Sequence, residues 1–299
     1  MNLSVGLLLA LGCIFGGYVG VSLGRDGWDT DAAVNALMHL WQPWEYVIII
    51  GASFGAMVAS NKGRVLKKIG SALKKIFSPN TVSLKTNQDL LCLMFELVQK
   101  ISRGGMRSVE EDIENPRASP LFMRYPSVLA NERLTSYIAE YVRMMLGGSM
   151  NLAQFENLMQ QEIEVLEEEL MVPSDAVHTV ADGLPAFGIV AAIMGVVIAL
   201  QSINQPDIGE KIAAAMVGTF LGVLLSYSMV SPIAKVMEHD AEVELRPFYA
   251  VKAILLAYLN KFPPFAAVEF GRKVLFSDQR PSYDDLEKET REIMRNANR

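Results

Sequence analysis

Residues 182–200 read DGLPAFGIVAAIMGVVIAL, and this stretch decides the fold. Its only charged side chain is Asp182 at the start, and a proline, three glycines and four alanines are spread through the apolar remainder. A helix that crosses a bilayer needs about 17–25 predominantly apolar residues. The stretch therefore predicts a transmembrane helix that has no side chain of its own for binding a proton, an ion or a substrate.

Three further apolar windows lie at residues 3–23, 44–60 and 212–233 of the 299-residue chain, 51% of which is hydrophobic. Each reaches the length of a span once flanking residues are included. The first window could instead be a secretory signal, but no Lys or Arg precedes it and no Ala-x-Ala site closes it. The predicted fold class is all-α: a polytopic membrane protein with four transmembrane helices and a helical cytoplasmic domain.

The distribution of charge predicts the orientation. The segment after the second span, NKGRVLKKIGSALKKIF at 61–77, holds six lysines and arginines. The connection between the first two spans has Arg25 against three aspartates, and it carries Trp28, Trp41 and Trp44. Positive segments stay inside and tryptophans favour the interface, so the basic segment and both termini are predicted to be cytoplasmic.

These rules predict one order of segments along the chain. It runs as transmembrane helix 1 at 1–24, a periplasmic loop at 25–43, transmembrane helix 2 at 44–61, a cytoplasmic helical domain at 62–182, transmembrane helix 3 at 183–203, a periplasmic loop at 204–211, transmembrane helix 4 at 212–233 and a cytoplasmic C-terminal helical region at 234–299.

Helical periodicity extends through the parts outside the spans. The basic segment is amphipathic, which suits either a helix along the inner membrane surface or a helix of the cytoplasmic domain with a solvated lysine face. Thr86 and Asn87 are expected to cap a helix through about Arg103, with one apolar face. Further helices are expected at 126–146 and 151–170, and the charged tail from Ser282 is expected to fray.

The sequence contains no recognisable motif of a soluble active site. It contains no phosphate-binding glycine loop, no Cys/His metal cluster and no nucleophile elbow. We therefore expect no enzyme activity, no metal, no cofactor and no nucleic-acid partner.

Small residues form a stripe on each of the last two spans. Gly188 and Gly195 recur on one side of the third span, and Gly218 and Gly222 form a G-x-x-x-G pair in the fourth. Small residues allow membrane helices to approach closely. Ordinary helix packing, as in a membrane scaffold that moves no ions, is enough to explain these stripes by themselves.

Two prolines mark the predicted cytoplasmic ends of these spans. If Asp182 is the N-cap, Pro185 falls in the first helical turn, where its missing N–H costs nothing. Pro232 interrupts an apolar pattern that continues into a polar helix, so it should distort that helix. Each proline is as compatible with architecture as with mechanism.

Polar groups are scarce within the spans. Thr219 and Tyr227 are the notable ones of the fourth span, and Asp and Glu are absent from the middle of every span. A buried ionisable group usually marks a proton site in a membrane protein. If protons cross, the carboxylate is therefore expected from another chain.

The sequence resembles the flagellar stator subunits of the MotA/TolQ/ExbB ion-channel family. The resemblance runs nearly end to end. It rests on DGLPAFGIVAAIMGVV in the third span, MVGTFLGVLLSYSMVSPIA in the fourth, SRGGMRSVEEDIENP in the loop, and PPFAAVEFGRK followed by RPS near the C-terminus.

The resemblance implies a proton-conducting stator subunit of the bacterial inner membrane. Such subunits form a ring, taken to be a pentamer, around two MotB chains whose aspartate carries the proton, and they push the rotor protein FliG. Carried over by motif, Pro185 and Pro232 match the mechanistic prolines and Thr219 and Tyr227 match pore-facing positions. The rotor-interacting charges match Arg103 and Glu110.

The resemblance also bears on the coupling ion and on the load. Sodium-driven relatives add hydroxyl groups around the ion site, whereas this chain has Val196 and one threonine, Thr219, so a proton is favoured over sodium. An ExbB/TolQ-type energiser of the outer membrane is the alternative within the family. Those relatives have three spans with the large loop after the first, unlike the four predicted here.

Overall fold

The computed structural model describes residues 2–26, 30–76, 82–148, 150–201 and 203–297. Trp28, one of the predicted interfacial tryptophans, lies outside these ranges. Within them the regular secondary structure is helical and no strand occurs. The helices are α1 (Asn2–Asp26), α2 (Thr30–His39), α3 (Pro43–Ser60), α4 (Gly63–Ile76), α5 (Leu84–Gly104), α6 (Glu110–Glu114), α7 (Pro120–Met123), α8 (Pro126–Leu129), α9 (Glu132–Gly147), α10 (Leu152–Leu200), α11 (Ile208–Leu225), α12 (Ser231–Leu259), α13 (Pro264–Val274) and α14 (Tyr283–Ala297).

Four helical stretches in the described part of the chain are long and apolar enough to cross a membrane. They are Leu3–Gly24, Pro43–Ser60, and stretches within Leu152–Leu200 and Ile208–Leu259. The all-α fold class with four spans is thereby confirmed.

The chain divides into two compact units. The first comprises Met1–Ser78 and Met171–His239, and the second comprises Pro79–Leu170 and Asp240–Arg299. The first unit thus includes α4 and residues 171–182 and 234–239 together with the spans, whereas the sequence grouped those segments with the cytoplasmic regions.

The basic amphipathic segment forms α4 and belongs to the first unit. Its apolar residue Ile69 is 4% exposed and packs in a cluster with Ala176 and Val177 of α10 and with Ala234 and Met237 of α12. The apolar face of α4 is therefore covered by protein, while lysines such as Lys67 lie exposed on its other side.

Helix α5 is the centre of the second unit. The expectation of a single apolar face is too narrow, because Leu90, Leu91, Leu93, Met94, Leu97 and Val98 are all fully buried. Helices α7, α8, α13 and α14 all contact α5. A helix surrounded by others needs apolar residues around most of its circumference, which explains the continuous run.

The start of α5 also corrects the predicted cap. Ser83 is the N-cap, and its hydroxyl accepts a hydrogen bond from the Thr86 N–H at 3.3 Å. Asn87 is buried instead, and its side-chain amide donates to the Gln279 carbonyl at 2.8 Å. Of the two residues predicted to cap α5, Thr86 therefore donates its N–H to the N-cap Ser83, and Asn87 makes a long-range contact.

The charged tail is ordered as α14, and the expectation of fraying is wrong over this helix. Leu286 is fully buried and Thr290 is 1% exposed, and α14 packs on α5. The Cys92 thiol donates to Glu289 Oε2 at 3.0 Å. Leu286 and Thr290, together with Ile293 and Met294, which pack against the same core, dock an otherwise charged helix.

Two further boundaries differ from the sequence-based expectation. The predicted periplasmic loop at 25–43 contains the ten-residue helix α2, and α11 begins at Ile208, inside the predicted loop at 204–211. The predicted helix at 126–146 is split into α8 and α9, because Asn131 caps α9 by accepting the Leu134 N–H at 3.2 Å.

Candidate functional site

Helix α10 is continuous for 49 residues, with Pro173 and Pro185 inside it. Asp182 is therefore not an N-cap, because the helix starts thirty residues earlier, at Leu152. Pro185 lies in the helix interior, where proline removes a backbone hydrogen bond and crowds the carbonyl four residues before it. That carbonyl belongs to Ala181.

The carbonyl freed by Pro185 has a partner on another helix. The Ser226 hydroxyl donates to the Ala181 oxygen at 2.6 Å, and both residues are buried, with exposures of 1% and 0%. Hydroxyl side chains commonly satisfy backbone groups released by prolines in membrane helices. Sequence reasoning missed Ser226, because only the fold brings it to the turn that precedes Pro185.

Pro232 follows a local change of helix type. Residues Ser226–Val230 form a π-helix between α11 and α12, and the Ser231 N–H bonds to the Ser226 carbonyl five residues back. Proline lacks the N–H needed for the α-helical bond, and short π segments accommodate such interruptions. Ser226 therefore belongs both to the π-helix before Pro232 and to the contact with Ala181 near Pro185.

The four glycines predicted for helix packing lie where α10 and α11 touch. A Cβ atom added to Gly188 would stand 2.8 Å from the Gly218 carbonyl oxygen, and one added to Gly222 would stand 2.6 Å from the Leu184 carbonyl oxygen. A Cβ on Gly195 would meet Ala215 Cβ at 2.6 Å. We call these four residues, Gly188, Gly195, Gly218 and Gly222, the glycine seam.

Glu45, which the sequence analysis did not single out, reaches the glycine seam from α3. A Cβ added to Gly218 would lie 2.7 Å from Glu45 Oε2, and one added to Gly195 would lie 3.8 Å from Oε1. Glu45 lies in the first turn of α3, where an acidic side chain commonly stabilises the helix N-terminus without any further role. Glu45 stands at the start of its span rather than in the middle, but its carboxyl group lies against the seam between two other spans.

The two predicted pore-facing residues of α11 and its π segment differ in exposure. Tyr227 is 69% exposed, whereas Thr219 is partly buried. Tyr227 follows directly after Ser226, so the aromatic ring and the buried hydroxyl occupy neighbouring positions of the π-helix. An exposed aromatic side chain on a membrane helix is available to a neighbouring chain.

In the second unit, a glycine turn separates the two predicted rotor-interacting charges. Gly105 has φ of +77°, which favours glycine, and its N–H bonds to the Ile101 carbonyl at the end of α5. A Cβ on Gly104 would stand 2.8 Å from Ser108 Cβ. Arg103 lies just before this turn and Glu110 begins α6 just after it, and both are exposed.

Hydrogen bonds to two buried carboxylates hold this turn region in place. Asp112 is 5% exposed and accepts hydrogen bonds from Lys100 Nζ and Ser119 Oγ, each at 2.6 Å. Glu96 is 8% exposed and accepts from the Tyr125 hydroxyl at 2.6 Å. Burial, and next the bond to Glu96, raise the pKa of Tyr125. Charge-assisted bonds of this kind are strong and directional.

A groove of about 820 Å³ runs beside the turn. Its lining includes Lys100 and Arg103 together with the acids Glu96, Glu111 and Asp112. The described residues contain no cluster of three or more His, Cys, Asp or Glu suited to a metal ion. The turn and the groove form a mixed-charge surface, which suits contact with another protein.

The arrangement defines a class, a multi-pass helical membrane protein with two tightly packed glycine-rich spans and an additional helical unit. The chain belongs to the MotA/TolQ/ExbB proton channel family. The model of that family matches residues 130–248, and the family model Motility protein A N-terminal matches residues 4–105.

Known proteins similar to the chain match it along nearly its whole length. Motility protein A of Escherichia coli (strain K12) is 42% identical over 297 residues, which is 98% of this chain and 96% of that protein. Two solved structures share the fold: C. jejuni MotAB, with 17% identity, 94% and 98% coverage and a TM-score of 0.69, and the flagellar MotAB stator complex of Bacillus subtilis, with 21% identity, 95% and 97% coverage and a TM-score of 0.63.

Proposed function

We propose that the chain is a stator subunit of the flagellar motor, which together with MotB couples proton flow across the bacterial inner membrane to torque on the rotor protein FliG. The observation that carries the proposal is the full-length match to Motility protein A of Escherichia coli. The solved structures that share the fold are MotAB complexes, which supports MotB as the partner.

In this proposal the first unit surrounds the partner's membrane helices. The chain assembles as a pentamer around two MotB chains among membrane lipids, with both termini in the cytoplasm. Exposed Tyr227 and, two helical turns earlier, Thr219 face the proton path. Pro185 and Pro232, joined through the Ser226 contact, form the part of the first unit that changes shape when the proton moves.

The second unit makes the rotor contact in this proposal. Arg103 and Glu110 carry opposite charges on either side of the Gly104–Gly105 turn, and the buried bonds of Asp112 keep that turn in shape. A rigid turn that displays opposite charges suits repeated, reversible contact with a complementary surface, because exposed ion pairs form and break at low cost.

The rotor contact is testable by charge reversal in a strain that lacks its own stator. With this chain and its MotB partner supplied, we expect Arg103→Glu together with Glu110→Lys to abolish swimming, because both contacts become repulsive. Restored swimming on matching reversals in FliG would identify the partner charges.

The matched control exchanges another exposed pair of the second unit, Arg117 and Glu132, which form an ion pair with each other. Arg117→Glu together with Glu132→Arg alters charge at two exposed sites while preserving that pair, and we expect normal swimming. Normal swimming by the Arg103→Glu, Glu110→Lys chain would instead refute the assigned rotor contact.

A further inference from the structure

The Glu45 carboxyl group lies inside the helix packing of the first unit. Glu45 is the third residue of α3, and its Oε2 atom is buried and has no hydrogen-bond partner. Oε2 and Cδ lie beside Gly218, and Oε1 lies on the side of Gly195. These small residues supply the space for the carboxyl group, since a Cβ on Gly218 would stand 3.2 Å from Glu45 Cδ.

In the described part of the chain, the segments of α10 and α11 that form the glycine seam carry no charged side chain. Residues 184–200 of α10 and 212–225 of α11 contain no Asp, Glu, Lys, Arg or His. At the start of α11, Glu210 is exposed, and Lys211 donates to Gln205 at 2.8 Å and pairs with Asp207 at 3.0 Å.

Residues 3–23 of α1 also contain no Asp, Glu, Lys, Arg or His. Tyr46 follows Glu45 on α3, where its ring packs against Trp41, and residues 3–23 of α1 contribute Cys13 and Tyr18, both exposed. A carboxylate with one oxygen buried against glycine and without a hydrogen-bond partner is disfavoured in its charged form. Protonation removes the charge and leaves an O–H group.

The location of Glu45 places it toward one end of the glycine seam. Glu45 lies at the start of α3, and Gly195 lies near the end of α10, whereas Pro185 and the Ser226 contact lie toward the other end. The carboxyl group is therefore within reach of the membrane surface on the side where α3 begins, and it is separated along α10 from the proline region.

We propose that Glu45 is a proton-binding group of the conduction path, protonated while its carboxyl group lies against Gly218 and Gly195. A proton from water on the side where α3 begins forms the O–H bond at a carboxylate oxygen. The bond breaks when the proton passes to the carboxylate of the partner chain. The protonation rests on the geometry of this chain, and the conducting role rests on the function proposed above.

Protonation is tested by infrared spectroscopy of the full chain purified with its MotB partner in lipid. We expect a protonated carboxylic acid carbonyl band that shifts in D₂O and is lost in Glu45→Gln. The matched control is Glu210→Gln, which removes an exposed carboxyl group at the start of α11 and should leave that band unchanged. A wild-type spectrum without a Glu45-dependent band would overturn the proposal, as would a carboxylate signal that responds to sodium.

The conducting role is tested in the stator-less strain with matched expression and MotB co-purification. Glu45→Gln keeps the size and the neutral charge of the protonated side chain but cannot release a proton, so we expect swimming to fall at least ~10-fold. Glu45→Asp keeps a titratable carboxyl group and should retain more swimming than Glu45→Gln. Equal swimming of Glu45→Gln and wild type, or equal loss in Glu45→Gln and Glu45→Asp, would overturn the role.

Failure of this inference is distinguishable from failure of the proposed function. If the wild-type chain with MotB does not restore swimming, the stator function itself fails, and the infrared spectrum still decides whether Glu45 is protonated. If the wild-type chain swims and Glu45→Gln swims equally well, the stator function stands and the Glu45 inference fails.

Discussion

At the scale of single residues, the first unit compensates for a proline with a hydroxyl group from another helix. Pro185 cannot donate to the Ala181 carbonyl, and the Ser226 hydroxyl does so at 2.6 Å. An unpaired buried carbonyl is costly in a membrane, where water is not available to replace the lost bond. The contact therefore joins the proline of α10 to the π-helix that precedes Pro232.

A double-mutant cycle measures this compensation. Ser226→Ala leaves the Ala181 carbonyl unpaired, so we expect a loss of about 1 kcal/mol in stability, seen as a lower thermal midpoint of the purified protein. Pro185→Ala restores a backbone N–H for the Ala181 carbonyl. In that background Ser226→Ala should cost clearly less.

The control for the cycle is Ser228→Ala, which removes a half-buried hydroxyl from the same π-helix, two positions after Ser226. It should change the thermal midpoint less than Ser226→Ala does. Equal costs of Ser226→Ala with and without Pro185 would mean that the hydroxyl does not replace the missing proline N–H.

At the scale of helices, a few inward-facing residues dock elements that look exposed in sequence. Helix α14 is mostly charged, yet Leu286 and Thr290 bury one side of it and Glu289 accepts a bond from Cys92 on α5. Burial, and next the interaction with Glu289, raise the pKa of the Cys92 thiol. A raised pKa means little thiolate at neutral pH, and therefore slow alkylation.

Thiol labelling reports whether α14 stays docked. In a Cys13→Ser background, where Cys92 is the only cysteine, we expect slow maleimide labelling at pH 7. Leu286→Asp should release α14 and raise the rate roughly tenfold or more, because the thiol becomes exposed and its pKa falls toward the ordinary value. Lys288→Asp changes an exposed residue of the same helix and should leave the rate unchanged. Fast labelling of Cys92 in the parent chain would contradict the docking of α14.

At the scale of the whole molecule, the chain combines two units with different chemistry. The first has a glycine seam without basic side chains, and the second has a turn flanked by exposed charges and supported by bonds to buried carboxylates. One elementary charge that crosses 100 mV releases about 2.3 kcal/mol. This is enough to shift a two-state equilibrium by about fifty-fold, provided that the two units respond to the same event.

The coupling ion is a prediction about the whole assembly. The third span has Val196 and the fourth has one threonine, Thr219, so hydroxyl groups that would suit sodium are few. We therefore expect motor speed to follow the proton-motive force. Replacing sodium by another monovalent cation at fixed membrane potential should leave the speed unchanged, whereas lowering the pH gradient should reduce it. A speed that depends on sodium would show that protons are not the coupling ion.

The sequence by itself determined the number of spans, the helical class and the small-residue stripes, because apolar length and helical spacing are local properties. It also supplied the family, since the motifs extend along nearly the whole chain. Local patterns did not predict that α10 continues through Asp182, or that the charged tail after Ser282 docks as α14. Packing with distant residues decides whether such a helix continues or docks.

Only the tertiary structure decided which groups meet across the helices. Ser226 reaches the Ala181 carbonyl across 45 positions of sequence, and Glu45 reaches Gly218 from a different span. Neither contact leaves a local signature, because a serine or a first-turn glutamate is equally compatible with solvent exposure. The physical reason is that a buried polar group is defined by what surrounds it, and in this chain its surroundings come from remote segments.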